Sequence, residues 1–242
     1  DVTIGSGLTS LEGRVFQSNL LTDVSIPDGI LSIGPNAFES NRLAILVIPD
    51  SVVSIGGWAF RQNRLTDISF GAGITTIEER VFEENRLTEV SIPNGIPSIG
   101  PRAFSNNQLA TLVIPDSVVS IDEAAFSYNQ LTDVAMSNGI ISIGKGAFEG
   151  NRLTKVVLPD SITRIDEYAF MSNSLSSLVI PSKISTISEY AFASNSLVNI
   201  VIPNNVEVIG EYAFQNNLLL SVEFIGDRPN ISKEYSFAAN SG

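Results

Sequence analysis

The 242-residue chain contains no cysteine and no histidine, a single tryptophan and two methionines. Without cysteine there are no disulfides. Without either residue there is no zinc site and no nucleophilic triad of the kinds that need them. Freedom from cysteine fits an exported protein, which gains by avoiding stray oxidation. Basic residues are also scarce: 14 Lys and Arg face 26 Asp and Glu, a formal charge of −12 with a sequence pI near 4.4. Nucleic acid needs a basic face to displace counterions from phosphate, and anionic lipid needs the same, so this balance argues against both. No apolar run reaches the length that would span a bilayer. The N-terminus lacks the charged and apolar regions of a leader, so any signal peptide is expected to have been removed.

Strict periodicity is what the sequence has in abundance. Phe16, Phe38, Phe60, Phe82, Phe104, Phe126, Phe148, Phe170, Phe192 and Phe214 are spaced by 22 residues, and Phe237 follows after 23. Asn recurs three positions after each Phe, from Asn19 to Asn217, and Leu two further on, from Leu21 to Leu219. The unit reads L-x-x-V-x-I-P-x-x-I-x-x-I-G-x-x-A-F-x-x-N-x, as in Leu21 to Arg42, and there are eleven copies. A fixed period of this size marks a solenoid, a propeller or an array.

The columns have physical readings. Leu21, Val24 and Ile26 end in a β-branched alternation that predicts a short strand. Pro27 cannot continue a ladder, and Asp28-Gly29 turns the chain, as do Asn94-Gly95 and Asn138-Gly139. Ile30 and Ile33 then lead to Ala37 and Phe38 through a stretch too short for a full helix, so a helical turn or an extended back wall is expected there. One unit cannot bury enough surface to order itself. Stacking supplies the missing burial, turns the Phe column into a stack of rings, and buries the Asn column with its amides bonded to neighbouring backbone.

These columns resemble the BspA-like leucine-rich repeats, whose units end in A-F-x-x-C or A-F-x-x-N, over nearly the whole chain. Asn stands here where Cys is frequent, and the unit is one residue shorter than the commoner form. The resemblance implies a right-handed leucine-rich-repeat solenoid with one parallel sheet of short strands. It also implies a bacterial or protozoan protein, secreted or on the cell surface, used in adhesion and contact with a host or matrix protein. Residues 1–220 are read as tandem repeats and 221–242 as a divergent last repeat forming a C-terminal cap, all in one domain. Asp1 to Ile4 already occupy strand positions, so the N-terminal cap is missing and the chain is expected to be a fragment of a longer protein. A longer rhythm is present too. Leu21–Arg42 matches Leu87–Gln108 at 15 of 22 positions but its neighbour Leu43–Arg64 at 11, which points to duplication of a 66-residue block.

Function must lie in positions the repeat leaves free. The outward strand position two after Leu reads Asp1, Asp23, Ile45, Asp67, Glu89, Thr111, Asp133, Lys155, Ser177, Asn199, Ser221. The position four after Leu reads Thr3, Ser25, Val47, Ser69, Ser91, Val113, Ala135, Val157, Val179, Val201, Glu223. The face therefore runs from acidic to aliphatic, and an exposed apolar stripe suits contact with a protein partner, although valine also simply favours strands. Partner-binding candidates are Asp23, Asp67, Glu89, Asp133, Val113, Ala135, Val157, Val179 and Val201. A second free column carries Trp58, Tyr168, Tyr190, Tyr212 and Tyr235, two before Phe. Four stacked tyrosines offer apolar faces and hydroxyls to sugars, or they merely cover the back wall. Carbohydrate or cell-wall binding through them is the alternative, and a passive spacer is a third.

Three chemical motifs dissolve in context. Gly139 to Lys145 spells G-x-x-x-x-G-K, but Gly146 follows where a phosphate loop needs Ser or Thr, and Ile140 and Ile143 are core columns. Glu78-Glu79, Asp122-Glu123 and Asp166-Glu167 are sequence neighbours on exposed turns with no pocket implied. The Asx column of Asp28, Asp50, Asn94, Asp116, Asn138, Asp160 and Asn204 lacks the calcium β-roll pattern and fits Asx-turns. No enzyme, cofactor or metal is expected.

Overall fold

The computed structural model describes residues 2–226, 229–231 and 235–240. Asp1, Asp227 and Arg228, which figure in the strand column and the divergent end of the sequence, lie outside the described residues. The chain coils into a parallel β-solenoid of about ten turns without a helix among the described residues.

Each turn makes three kinds of contact with the next. The L-x-x-V-x-I segments form the front strands: Val2–Thr3 with Val24–Ser25, Ile45–Val47 with Asp67–Ser69, Thr111–Val113 with Asp133–Ala135, and Asn199–Ile202 with Ser221–Phe224, all parallel. The back wall is extended and has ladders of its own. Ser10–Leu11, Ser32–Ile33 and Ser54–Ile55 pair in series, as do Ser98–Ile99, Ser120–Ile121, Ser142–Ile143 and Arg164–Ile165. The structure thus adds a second parallel series to the single sheet expected, and resolves the back wall as extended. Its Ile faces the core while the residue before it stays at least partly accessible, so two residues suffice for the alternation of a strand.

The A-F corner is the third contact. Asn36, Phe38 and Ser40 donate their backbone N–H groups to the carbonyls of Gly57, Ala59 and Arg61 one turn on, at 3.0, 2.8 and 2.9 Å. To aim alternate N–H groups at the neighbouring turn, the backbone passes through the left-handed region at two non-glycine positions. Asn36 has φ 58° and Ser40 φ 58°, and the same two positions recur down the solenoid. Only Gly146 and Gly150 in this series are glycine.

The core lies between front and back. Phe38, Phe60, Phe82, Phe104, Phe126, Phe148, Phe170, Phe192 and Phe214 are all buried, and consecutive rings stack at 5.3 to 5.9 Å. The Asn column seals the adjoining corner. Asn63 Nδ2 donates to the carbonyl of Phe60 in its own turn and of Phe38 in the previous one, and its Oδ1 accepts from Leu43 N–H. Asn107 and Asn195 repeat this set of three. Stacking therefore satisfies the buried polar groups as well as the apolar ones.

Candidate functional site: the front strand face

Strand alternation sets the front face. Leu46, Ile68, Leu112, Val134, Leu178 and Ile200 point inward and are buried. The residues on either side point outward, and every described member of the two outward columns is exposed. Val113, Val157, Val179 and Val201 expose 68, 75, 82 and 42 % of their surface, far above what core packing would leave them. Ala135 lies among them, exposed. Asp23, Asp67, Glu89 and Asp133 are exposed on the parallel column and make no ion pair among the described residues. The face thus brings together all nine residues expected to meet a partner, acidic toward one end and aliphatic toward the other.

The face is not a continuous sheet. The strand Val24–Ser25 pairs back to Val2–Thr3 but not forward to Ile45–Val47, and no strand forms at residues 89–91 between Asp67–Ser69 and Thr111–Val113. Residues 155–157 and 177–179 form no strand either. Concavities lie at the first two interruptions. One of about 640 Å³ is lined by Glu89, Ser91, Thr111, Val113 and Ala135 among others, and one of about 330 Å³ by Asp23, Ser25, Ile45 and Val47 with Val24 and Ile26. Nothing in the residue pattern announces these breaks except the 66-residue rhythm, which maps one onto the other.

The tyrosines form a second ladder behind the A-F corner. Tyr168 stacks on Tyr190 at 5.0 Å, Tyr190 on Tyr212 at 4.7 Å and Tyr212 on Tyr235 at 5.6 Å. Lys145 Nζ sits 5.4 Å from the Tyr168 ring centre, a cation–π contact that covers the first face of the stack. Burial, then the charges of Glu189 and Glu167, push the Tyr168 hydroxyl up. Ring faces are thus turned on one another, and edges and hydroxyls are what solvent meets.

Sequence reasoning missed a cluster one and two positions after Phe. Arg61 bridges Glu39, Glu83 and Glu84 at 3.2, 2.7 and 2.6 Å, with Glu39 and Glu83 buried. Turn stacking brings these residues together although Arg61 is 22 residues from Glu39 and from Glu83, and 23 from Glu84, so only the column written out vertically would have signalled it. The paired carboxylates have structural partners instead: Glu79 meets Arg80, Asp122 accepts from Ser120, and Asp166 pairs with Arg164. Asp50 Oδ1 accepts from the N–H of Ala72, and no group of three acidic residues is placed to hold a metal among the described residues.

The profile described as BspA type leucine rich repeat region matches residues 9–132 and 119–241, in six copies. The chain belongs to the BspA-type leucine-rich repeats. Solved structures bear out the fold of this BspA-type chain. A leucine-rich repeat protein from Bacteroides ovatus is 22 % identical with TM-score 0.65, over 83 % of this chain and 55 % of its own. A leucine rich cell surface protein from Faecalibacterium prausnitzii is 28 % identical with TM-score 0.53, over 99 % and 62 %. The pneumococcal vaccine antigen PcpA is 17 % identical with TM-score 0.60, over 92 % and 61 %. The chain therefore spans less than two thirds of each of these proteins. No curated protein sequence matches it. Leucine-rich repeats of this kind typically mediate protein–protein interaction.

Proposed function

We propose that this BspA-type solenoid is a non-enzymatic, extracellular recognition and adhesion module that binds a host or matrix protein along its front strand face. The observation that carries the reading is the run of valines from Val157 to Val201, held outward and exposed on a backbone whose inward positions are fully used by the core. Exposed β-branched side chains in a row lose water on contact with a partner and lose little entropy, because their rotamers are already fixed. The cell-surface description of the Faecalibacterium prausnitzii protein supports the extracellular placement.

The alternative, glycan binding on the tyrosines, is less well supported. A sugar stacks on a ring face, and at spacings of 4.7 to 5.6 Å the faces inside the ladder are occupied by other tyrosines.

Attachment of the protein to immobilised extracellular-matrix proteins and to purified polysaccharides tests the choice. Val179→Lys sets a charge in a contact that must be desolvated, so matrix attachment should weaken at least about tenfold with the melting midpoint unchanged. Polysaccharide attachment abolished by Tyr235→Ala, with matrix attachment absent in the parent protein, would overturn the reading.

A further inference from the structure

The two concavities of the front face are copies of one another. Asp23 and Glu89, Ser25 and Ser91, and Val47 and Val113 are each 66 residues apart, which is three turns, and each set walls its own groove. Each groove holds a carboxylate on one turn and an exposed valine on the next. Each also lies at a break in the front ladder: Val24–Ser25 does not pair with Ile45–Val47, and residues 89–91 form no strand beside Thr111–Val113. Neither wall carries a lysine or arginine. At the next three-turn step the carboxylate is replaced by Lys155, so the arrangement stops after two.

We propose that these grooves form a bivalent site for one extended segment of a partner protein, which offers a cationic side chain to Asp23 and another to Glu89. This deepens the front-face reading and rests on it. The sign of the partner follows from the carboxylate in each groove and the absence of a local counter-ion. Its conformation follows from length. The A-F corners stay hydrogen-bonded from turn to turn, Phe38 to Ala59, Phe60 to Val81 and Phe82 to Ala103, so three turns advance about 14 Å, at about 4.8 Å per turn. In an extended strand residues i and i+4 lie on one face about 13 Å apart, whereas i+2 gives about 7 Å and i+6 about 20 Å. A helix would need nine or ten residues to cover the span, at about 1.5 Å each. Lys or Arg at i and i+4 therefore reaches both grooves, and the small side chains between them pass over the turns bearing Asp67 and Ile45. Occupying the second groove after the first is an intramolecular step, so two weak contacts combine into a firm one.

Fluorescence anisotropy of labelled Ser/Thr peptides with the full chain at physiological salt tests this. One peptide carries a single Lys, and the others carry two Lys at i/i+2, i/i+4 or i/i+6. The i/i+4 peptide should bind at least tenfold more tightly than any other. Asp23→Asn or Glu89→Gln alone should reduce it to the single-Lys level, and both together should add little further loss. Equal affinity for i/i+2 and i/i+4 would mean diffuse attraction to an acidic face and would overturn the proposal. So would i/i+4 binding untouched by both substitutions. The front-face reading is judged separately: if Val179→Lys abolishes matrix attachment while the peptides show no spacing preference, the bivalent site fails and the face reading stands.

Discussion

Asn107 Nδ2 donates to the carbonyl of Phe82 at 2.9 Å, tying one turn of the solenoid to the turn before it, while it also holds the carbonyl of Phe104 in its own turn at 3.1 Å. Its Oδ1 accepts from Leu87 N–H at 3.0 Å. Asn107→Ala leaves these buried groups without partners, and the expected loss is about 1–3 kcal/mol. The Asn106 side chain is exposed and donates only to Ser105 Oγ, but its φ of 57° makes alanine an imperfect control. Asn106→Gly tolerates that backbone and should be nearly neutral. Urea midpoints of the two variants check the difference, and equal midpoints would remove the Asn column from the list of structural ties.

The left-handed corner makes a prediction with opposite signs at equivalent positions. Ala124 has φ 52°, whereas Gly146 occupies the same place one turn on at φ 60°. Alanine is strained there and glycine is not. Ala124→Gly should raise stability by about 0.5–1 kcal/mol and Gly146→Ala should lower it by a similar amount. Gly150→Ala should do more harm, since a Cβ there would meet Tyr128 Cδ1 at 2.7 Å. Thermal melts that show Ala124→Gly as destabilising would contradict the assignment of this corner.

This corner also marks where the sequence stops being informative. The Phe and Asn columns are legible because their side chains touch the same side chain or carbonyl in every turn, so residue type is held constant. The left-handed positions are filled by Arg14, Asn36, Trp58, Arg80, Ala124 and Tyr168 alike. Their conformation is imposed by backbone bonds to the next turn, such as Trp58 N–H to the carbonyl of Glu79, which ask nothing of the side chain. The back-wall ladder was half legible for a related reason: Ser54–Ile55 is too short to show a period. Of the binding face, orientation could be read from alternation. The ladder breaks that make the grooves depend on contacts between turns and leave no single-residue mark.

Arg61 governs acid stability on the opposite side. Burial pushes the Glu84 carboxyl up, but hydrogen bonds from Gln62 and Arg61 and the charges of Arg61 and Arg80 outweigh it, so its pKa lies below the ordinary glutamate value. A depressed folded pKa contributes stability above the unfolded value, and that contribution is lost as pH falls through the folded one. Glu84→Gln should therefore flatten the stability profile below about pH 4.3. Arg61→Ala leaves buried Glu83 with only its longer contact to Arg80, and buried Glu39 with Gln17 and Asn36, and should cost about 1–3 kcal/mol at neutral pH. The loss should shrink in acid, as Glu84 loses the charge that Arg61 holds. Urea titrations of the parent and both variants from neutral pH into acid measure this. A loss that is independent of pH would mean that packing of the arginine stem, not its charge, is what matters.

The tyrosine ladder separates a structural role from a binding one. Tyr190 is stacked on both sides, at 5.0 Å from Tyr168 and 4.7 Å from Tyr212. Two aromatic contacts at about 0.5–1.5 kcal/mol each are lost in Tyr190→Ala, so a fall of about 1–3 kcal/mol in stability is expected. Tyr235 ends the stack, is 49 % exposed and touches only Tyr212 among the rings, so Tyr235→Ala should cost about half as much. Glycan binding orders the same two variants the other way. With Lys145 over Tyr168, the ring face left for a sugar among the described residues is the outer face of Tyr235. A carbohydrate site would therefore respond to Tyr235→Ala and be indifferent to Tyr190→Ala once stability is allowed for. If the ladder only braces the back wall, neither variant changes polysaccharide retention, and the stability order Tyr190→Ala below Tyr235→Ala is the only effect. Retention on purified cell-wall polysaccharide, measured beside the melting midpoint, decides it. Loss of retention confined to Tyr235→Ala would assign the stack end a binding role and leave the interior tyrosines as its support.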